Sequence, residues 1–70
     1  MDKNIPVNAE CIIDGLERYK RRLGRRYDKE REPRYKEHLR TLYNECEDAI
    51  VHMCTAFRVK RKEKAYKIGG

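Results

Sequence analysis

Apolar and aromatic side chains recur every three or four residues on both sides of Pro33, and this pattern restricts the fold more than any other feature of the chain. Before the proline they are Ala9, Ile12, Leu16, Tyr19, Leu23 and Tyr27. After it they are Tyr35, Leu39, Leu42, Cys46, Ala49, Met53 and Ala56. Such spacing is typical of amphipathic helices. Because Pro33 cannot donate a hydrogen bond and disfavours helical backbone at Glu32, we expect helices over about residues 9–31 and 33–59.

Two further details of the first helix are its starting residue and whether it continues through Gly24. Pro6 disfavours helical backbone at Ile5 and Asn8 suits an N-cap, so residues 1–8 are predicted to lead into the helix. Gly24 could act as a C-cap, which would give three helices in place of two. Since the apolar spacing continues through it to Tyr27, we favour one helix with a bend.

The two apolar patterns match when the chain is folded back around Arg31. The matching pairs are then Tyr27 with Tyr35, Leu23 with Leu39, Tyr19 with Tyr43, Leu16 with Cys46, and Ile12 with Ile50. Every pair is apolar or aromatic, and their order is antiparallel. The sequence therefore predicts an all-α fold, a helical hairpin of two long antiparallel helices.

A second neighbour is expected for the second helix, because its apolar arc spans roughly 160°. A chain of 70 residues with 39% hydrophobic residues and no tryptophan is also short of core on its own. We therefore expect a homodimer that forms a four-helix bundle, with a docked C-terminal segment as the simpler alternative. The predicted dimer interface consists of Leu42, Ala49, Met53 and Ala56.

Charge is distributed in blocks along a chain whose net charge is +6. Residues 17–36 contain ten basic and four acidic residues, and residues 58–70 contain six basic and one acidic. Residues 1–16 and 37–57 carry net charges of −2 and −3. We expect a hairpin domain over residues 1–59 and a flexible basic tail over 60–70. This distribution favours an anionic partner.

On the first helix the charges are separated by sign. At about 100° per residue, Arg18, Arg22, Arg25 and Lys29 fall on one flank, and most of the acidic residues fall on the other. Such a strip suits contacts to nucleic-acid phosphates. The predicted nucleic-acid-binding residues are Arg18, Arg22, Arg25, Arg26, Lys29, Arg34, Lys36, Lys60, Arg61 and Lys62.

Two other interpretations of these residues remain open. The strip is equally consistent with a solvated face whose arginines pair with carboxylates, such as Asp14 with Arg18 or Glu17 with Arg21. Near the turn, Tyr27 and Tyr35 could stack on exposed bases. Their mirror pairing favours the simpler view that they form the edge of the core.

Other classes of function find little support in the sequence. Three cysteines without a secretory signal predict reduced thiols and a cytoplasmic protein, and no apolar run is long enough for a membrane span. The His and Cys residues do not occur in the close pairs that are typical of a metal site, and no cofactor is expected. The chain contains no serine and no catalytic constellation, so we do not expect an enzyme.

Taken together, these features predict a small non-enzymatic nucleic-acid-binding accessory or regulatory protein that contacts phosphates through the basic flank and the tail. The alternative is a protein-interaction module, an inhibitor or adaptor, that docks the basic end of the hairpin on an acidic protein surface. A purely structural assembly protein is a third hypothesis.

Overall fold

The computed structural model describes residues 4–61 and 63–69, and over these residues the chain is a helical hairpin without strands. Helix α1 covers Asn4–Lys29 and helix α2 covers Pro33–Phe57. The two helices pack antiparallel, and the molecule measures 48 × 19 × 16 Å. Neither helix has a stretch long and apolar enough to cross a membrane, over the same residues.

Helix α1 is uninterrupted and starts earlier than the sequence predicts. It begins at Asn4, so the predicted start near Ala9 with Asn8 as N-cap is wrong. Pro6 is only the third residue of the helix. The first four N–H groups of a helix have no partner within it, so the missing N–H of a proline costs little there. The helix continues through Gly24 as expected.

The turn between the helices follows the prediction made from Pro33. Glu32 has extended backbone with φ −76° and ψ 118°, and α2 begins at Pro33. The Lys36 N–H donates to the Glu32 carbonyl at 2.8 Å. The Lys36 ammonium donates to the Tyr27 carbonyl at 3.2 Å and lies 4.4 Å from the centre of the Tyr27 ring. Lys36 therefore ties the start of α2 to the last turn of α1.

The core between the helices consists of two hydrophobic clusters. The first, toward the end of the hairpin away from the turn, is built on Ile13, Cys46 and Ile50. The second, nearer the turn, is built on Leu23, Leu39 and Tyr43. Leu23 and Leu39 lie in one cluster, as their mirror pairing predicts. The Cys46 thiol lies 3.3 Å from the Leu16 carbonyl, again as the pairing predicts.

Three of the predicted pairs have an exposed member, and in two of them the reason is that α1 is rotated relative to the expected stripe. Ile12, Tyr19 and Tyr35 are 52%, 45% and 62% exposed. Ile13 is buried in place of Ile12, and Lys20 is buried in place of Tyr19. The rotation brings charged side chains between the two hydrophobic clusters.

The second neighbour of α2 in the structure is the C-terminal segment, residues 58–61 and 63–69. Arg58 adopts left-handed backbone with φ 55°, which ends α2 and reverses the chain. Val59 then packs on the first cluster and Ile68 on the second. The Asn44 side chain accepts from the Ile68 N–H at 2.9 Å and donates to the Ile68 carbonyl at 3.1 Å. This is the docked arrangement that the sequence offers as the alternative to a dimer.

The two glycines of α1 differ in what surrounds them, and this difference can be tested. Beyond the nearby backbone of α1 itself, a Cβ at Gly15 would meet no described atom within 4 Å, whereas a Cβ at Gly24 would lie 3.1 Å from the Tyr43 ring. Gly15→Ala should raise the free energy of unfolding by about 1 kcal/mol, because alanine favours helix.

Gly24→Ala should gain less than Gly15→Ala or destabilise the protein, because the Tyr43 ring must shift. Urea unfolding followed by far-ultraviolet circular dichroism measures both variants. Equal gains from the two substitutions would contradict the close approach of α1 to Tyr43.

Candidate functional site

Four charged side chains form a buried ionic cluster between the two hydrophobic clusters. It consists of Glu17 and Lys20 from α1, Glu47 from α2 and Arg61 from the C-terminal segment. Glu47, Lys20 and Glu17 are only 2%, 3% and 5% exposed. Two cations and two carboxylates balance one another, which is the condition for tolerating charge at this depth.

The contacts of the ionic cluster converge on the Glu47 carboxylate. The Lys20 ammonium donates to Glu47 Oε1 at 2.6 Å. The Arg61 guanidinium binds both carboxylate oxygens of Glu47, at 2.5 and 2.7 Å, and its Nε donates to Glu17 Oε2 at 3.1 Å. Such paired guanidinium contacts are among the stronger hydrogen bonds in proteins. The cluster therefore joins both helices to the C-terminal segment.

These contacts change the pKa values of the groups that make them. The hydrogen bonds from Arg61, assisted by Lys20, lower the pKa of Glu47 to about 2 from its ordinary value of 4.5. The same contacts raise the pKa of Arg61. Burial raises the pKa of the Tyr43 phenol and of the Cys46 thiol, so both stay protonated at neutral pH. Cys46 is accordingly an unreactive packing residue.

Apolar periodicity does not predict the ionic cluster, although the sequence contains a signal for it. Lys20 lies seven residues after Ile13 and three before Leu23, so it occupies an inward position of α1. Glu47 holds the equivalent position on α2, between Tyr43 and Ile50. Opposite charges at inward positions of antiparallel helices indicate a buried ion pair.

The side of the hairpin away from the C-terminal segment carries a groove between the helices, which we call the tyrosine groove. Its volume is about 280 Å³. Its lining includes Tyr19, Arg22 and Arg26 from α1 and Tyr35, His38 and Leu42 from α2. Both tyrosine rings are substantially exposed. The groove therefore combines aromatic surface with positive charge.

The cations near the turn form a second feature, the basic tip. It consists of Arg22, Arg25, Arg26, Lys29, Arg31 and Arg34, all of them exposed. None of the six makes an ion pair with any residue in the described part of the chain. Their charges are therefore available to a partner.

The remaining predicted binding residues lie in different surroundings. Arg18 pairs with Asp14 at 3.6 Å on the exposed surface, as the solvated-face interpretation proposes. Glu17 does not pair with Arg21, which instead binds Glu63 of the C-terminal segment.

Besides Arg18, four of the predicted residues are not members of the basic tip. Lys36 is half-buried against Tyr27, and Arg61 is held in the ionic cluster. Lys60 is exposed, and Lys62 lies outside the described residues.

The four predicted dimer-interface residues are not equally available. Leu42 packs on the second hydrophobic cluster and Met53 on the first, so both already contribute to the core of one chain. Ala49 is half-buried and Ala56 is exposed. The apolar surface left for a second copy is therefore smaller than the sequence suggests.

In residues 4–61 and 63–69 no group of three or more His, Cys, Asp or Glu side chains is placed to hold a metal ion. The three cysteines are free thiols, with Cys11 exposed, Cys46 buried and Cys54 half-buried.

In the described residues the chain is a two-helix hairpin whose C-terminal segment is docked on α2. The opposite side carries the tyrosine groove, with the basic tip beside it. No protein-family model, no curated protein and no solved structure matches the chain. The function is therefore inferred from the geometry of the site.

The low pKa of Glu47 makes the stability of the protein depend on pH. Because the folded pKa is about 2 and the ordinary value 4.5, the carboxylate stabilises the fold above about pH 4.5. This contribution, on the order of 3 kcal/mol, is lost as the pH falls from about 4.5 toward 2. Urea unfolding measured across this window should show the loss.

Glu47→Gln should remove this part of the pH dependence and destabilise the protein at neutral pH. Glu45→Gln is the matched control, since Glu45 is exposed on the same helix, and it should unfold with the pH dependence of the wild type. A Glu47→Gln variant as stable as the wild type at neutral pH would show that the ionic cluster does not form.

Proposed function

We propose that this protein is a small non-enzymatic accessory or regulatory protein that binds nucleic acid by contacting phosphates with its basic tip. The observation that supports this most directly is the set of six exposed cations without a carboxylate partner among the described residues. Guanidinium groups are suited to paired hydrogen bonds with phosphate oxygens.

The basic tip concentrates positive charge at positions where the electrostatics of the helices disfavour it. Residues 22–36 contain seven Lys or Arg and three Asp or Glu, a net charge of +4. Arg22 and Arg26, like Arg25 and Lys29, are like charges four residues apart on a helix, an arrangement that weakens it. Arg34 lies in the first turn of α2, where the helix dipole disfavours cations. A polyanion at the tip relieves all of these repulsions.

The proposed contact set is narrower than the one predicted from sequence. Its members are the six residues of the basic tip: Arg22, Arg25, Arg26, Lys29 and Arg34 from the predicted set, together with Arg31. Arg61 and Lys36 are left out, because their charged groups are committed to Glu47 and to the Tyr27 carbonyl. Contacts of this kind to the nucleic-acid backbone carry little sequence information.

The alternative function, docking on an acidic protein surface, would use the same tip charges. What favours nucleic acid is the position of the tyrosine groove beside the tip, since aromatic rings interleaved with arginines are typical of nucleic-acid binders. An acidic protein surface would need the charges and leave the exposed rings without a role.

We further propose that any homodimer forms through Ala49, Met53 and Ala56, at the end of α2 away from the turn. This arrangement would leave the tyrosine groove open. A solution mass of twice 8.5 kDa that falls to 8.5 kDa in Ala49→Glu would support it, and a monomeric wild type would exclude it. The free thiols fit a reducing compartment, and on that ground we propose a cytoplasmic location.

Titration of labelled single-stranded and duplex DNA and RNA at low and moderate salt tests the proposed function. Affinity should fall steeply with salt, because phosphate contacts release counterions. In Arg25→Ala/Lys29→Ala/Arg34→Ala, whose positions lie outside the groove, the salt slope should shrink by about 2 to 3.

A matched pair of single variants controls for overall charge. Arg25→Ala and Lys64→Ala each remove one exposed cation, but Lys64 lies outside the basic tip. Arg25→Ala should weaken binding more than Lys64→Ala. Equal effects would contradict a defined interface at the tip, and absence of binding at low salt would exclude the proposed function.

A further inference from the structure

We propose that the tyrosine groove binds an unpaired base of a single-stranded nucleic acid by stacking it on Tyr19 and Tyr35. This inference rests on the proposed function and names the class of nucleic acid that it prefers. Duplexes present phosphates but keep their base faces stacked inside, so only a single strand can use both the tip and the groove.

Exposure of the two rings is the first observation that carries this inference. Tyr19 and Tyr35 are 45% and 62% exposed, although both belong to the apolar pattern that predicts a core. The other three tyrosines of the chain have partners. Tyr27 is covered by the Lys36 ammonium, and Tyr66 packs edge-to-face on Tyr43 with ring centres 6.2 Å apart.

The shape of the groove is the second observation. Tyr19 on α1 and Tyr35 on α2 line the same concavity, whose volume is about 280 Å³. A cavity of about 150 Å³ is enough to hold a benzene molecule. The groove therefore has room for a nucleobase against the tyrosine rings, with Leu39 and Leu42 as an apolar floor.

The charge of the groove is the third observation, and it distinguishes a nucleic acid from a second copy of the chain. Arg22 and Arg26 line the groove three and seven residues after Tyr19, so they can hold the phosphates on either side of a stacked base. Glu30 also lines the groove, where its carboxylate accepts from the Glu32 N–H at 3.2 Å. In a symmetric dimer across this face both surfaces would carry these arginines, so positive charge would meet positive charge.

The experiment compares a labelled single strand with a duplex of the same sequence, using the full chain. Tyr19→Ala and Tyr35→Ala should each weaken single-strand binding by about 5- to 150-fold, the range that corresponds to loss of one stacked base. Duplex affinity should change little. The salt slope should be unchanged, because neither substitution removes a charge.

Three controls separate stacking from other effects. Tyr19→Phe and Tyr35→Phe keep the aromatic ring and should bind single strands with the affinity of the wild type. Tyr66→Ala removes a tyrosine that is 61% exposed outside the groove, and should bind like the wild type. Because the chain contains no tryptophan, tyrosine fluorescence reports directly on stacking, and its quenching by the single strand should diminish in the groove alanine variants.

The outcomes distinguish this inference from the proposed function. If the groove alanine variants bind single strands normally while the tip variants do not, the groove inference fails and the proposed function stands. If no nucleic acid binds, both fail. A dimeric wild type that becomes monomeric in Tyr19→Ala and Tyr35→Ala would assign the groove to a second copy and overturn the inference.

Discussion

The contact of the Arg61 guanidinium with the Glu47 carboxylate is the interaction on which the arrangement of the chain depends. It lies between the two hydrophobic clusters and is completed by Lys20 and Glu17. Burying four charges is costly unless their hydrogen bonds are satisfied. Here Arg61 must reach the cluster from the C-terminal segment, so burial of the charges on the helices requires that segment to dock.

Docking of the C-terminal segment gives the hairpin two different sides. On one side the segment covers α2, with Ile68 bound to Asn44 and Tyr66 packed on Tyr43. On the other side the tyrosine groove stays open beside the basic tip. The segment also explains how 70 residues with a modest hydrophobic content bury a core within one chain. The C-terminal segment therefore takes the place on α2 that the sequence analysis assigns to a second chain or to this segment.

The hairpin is predictable from the sequence, because the spacing of apolar residues and Pro33 each determine the backbone of nearby residues. The helix boundaries around the turn and the Leu23–Leu39 pairing follow from these two signals. The rotation of α1 does not follow from these signals, since the spacing of apolar residues favours Tyr19 over Lys20 as the buried side chain. That choice is made by the charges of Glu47 and Arg61, which lie 27 and 41 residues further along the chain than Lys20.

Only the part of the candidate site that depends on nearby residues is predictable from the sequence. The cations of the basic tip follow from composition, and their exposure follows from the turn at Pro33. The tyrosine groove depends on the rotation of α1, which exposes Tyr19, and on the exposure of Tyr35 on α2. It could not be read from a pattern that assigns both rings to the core. The sequence pattern predicts phosphate binding for Arg61, because its carboxylate partners Glu17 and Glu47 are distant in sequence.

Hydrogen exchange of the Ile68 amide tests the central claim most directly, namely that the ionic cluster holds the C-terminal segment on the hairpin. The Ile68 N–H donates to the Asn44 side chain at 2.9 Å, and neither residue belongs to the ionic cluster. The account predicts that this amide is protected in the wild type and exchanges freely in Arg61→Gln, while the amides of both helices stay protected. An Ile68 amide that exchanges freely in the wild type, or stays protected in Arg61→Gln, would contradict it.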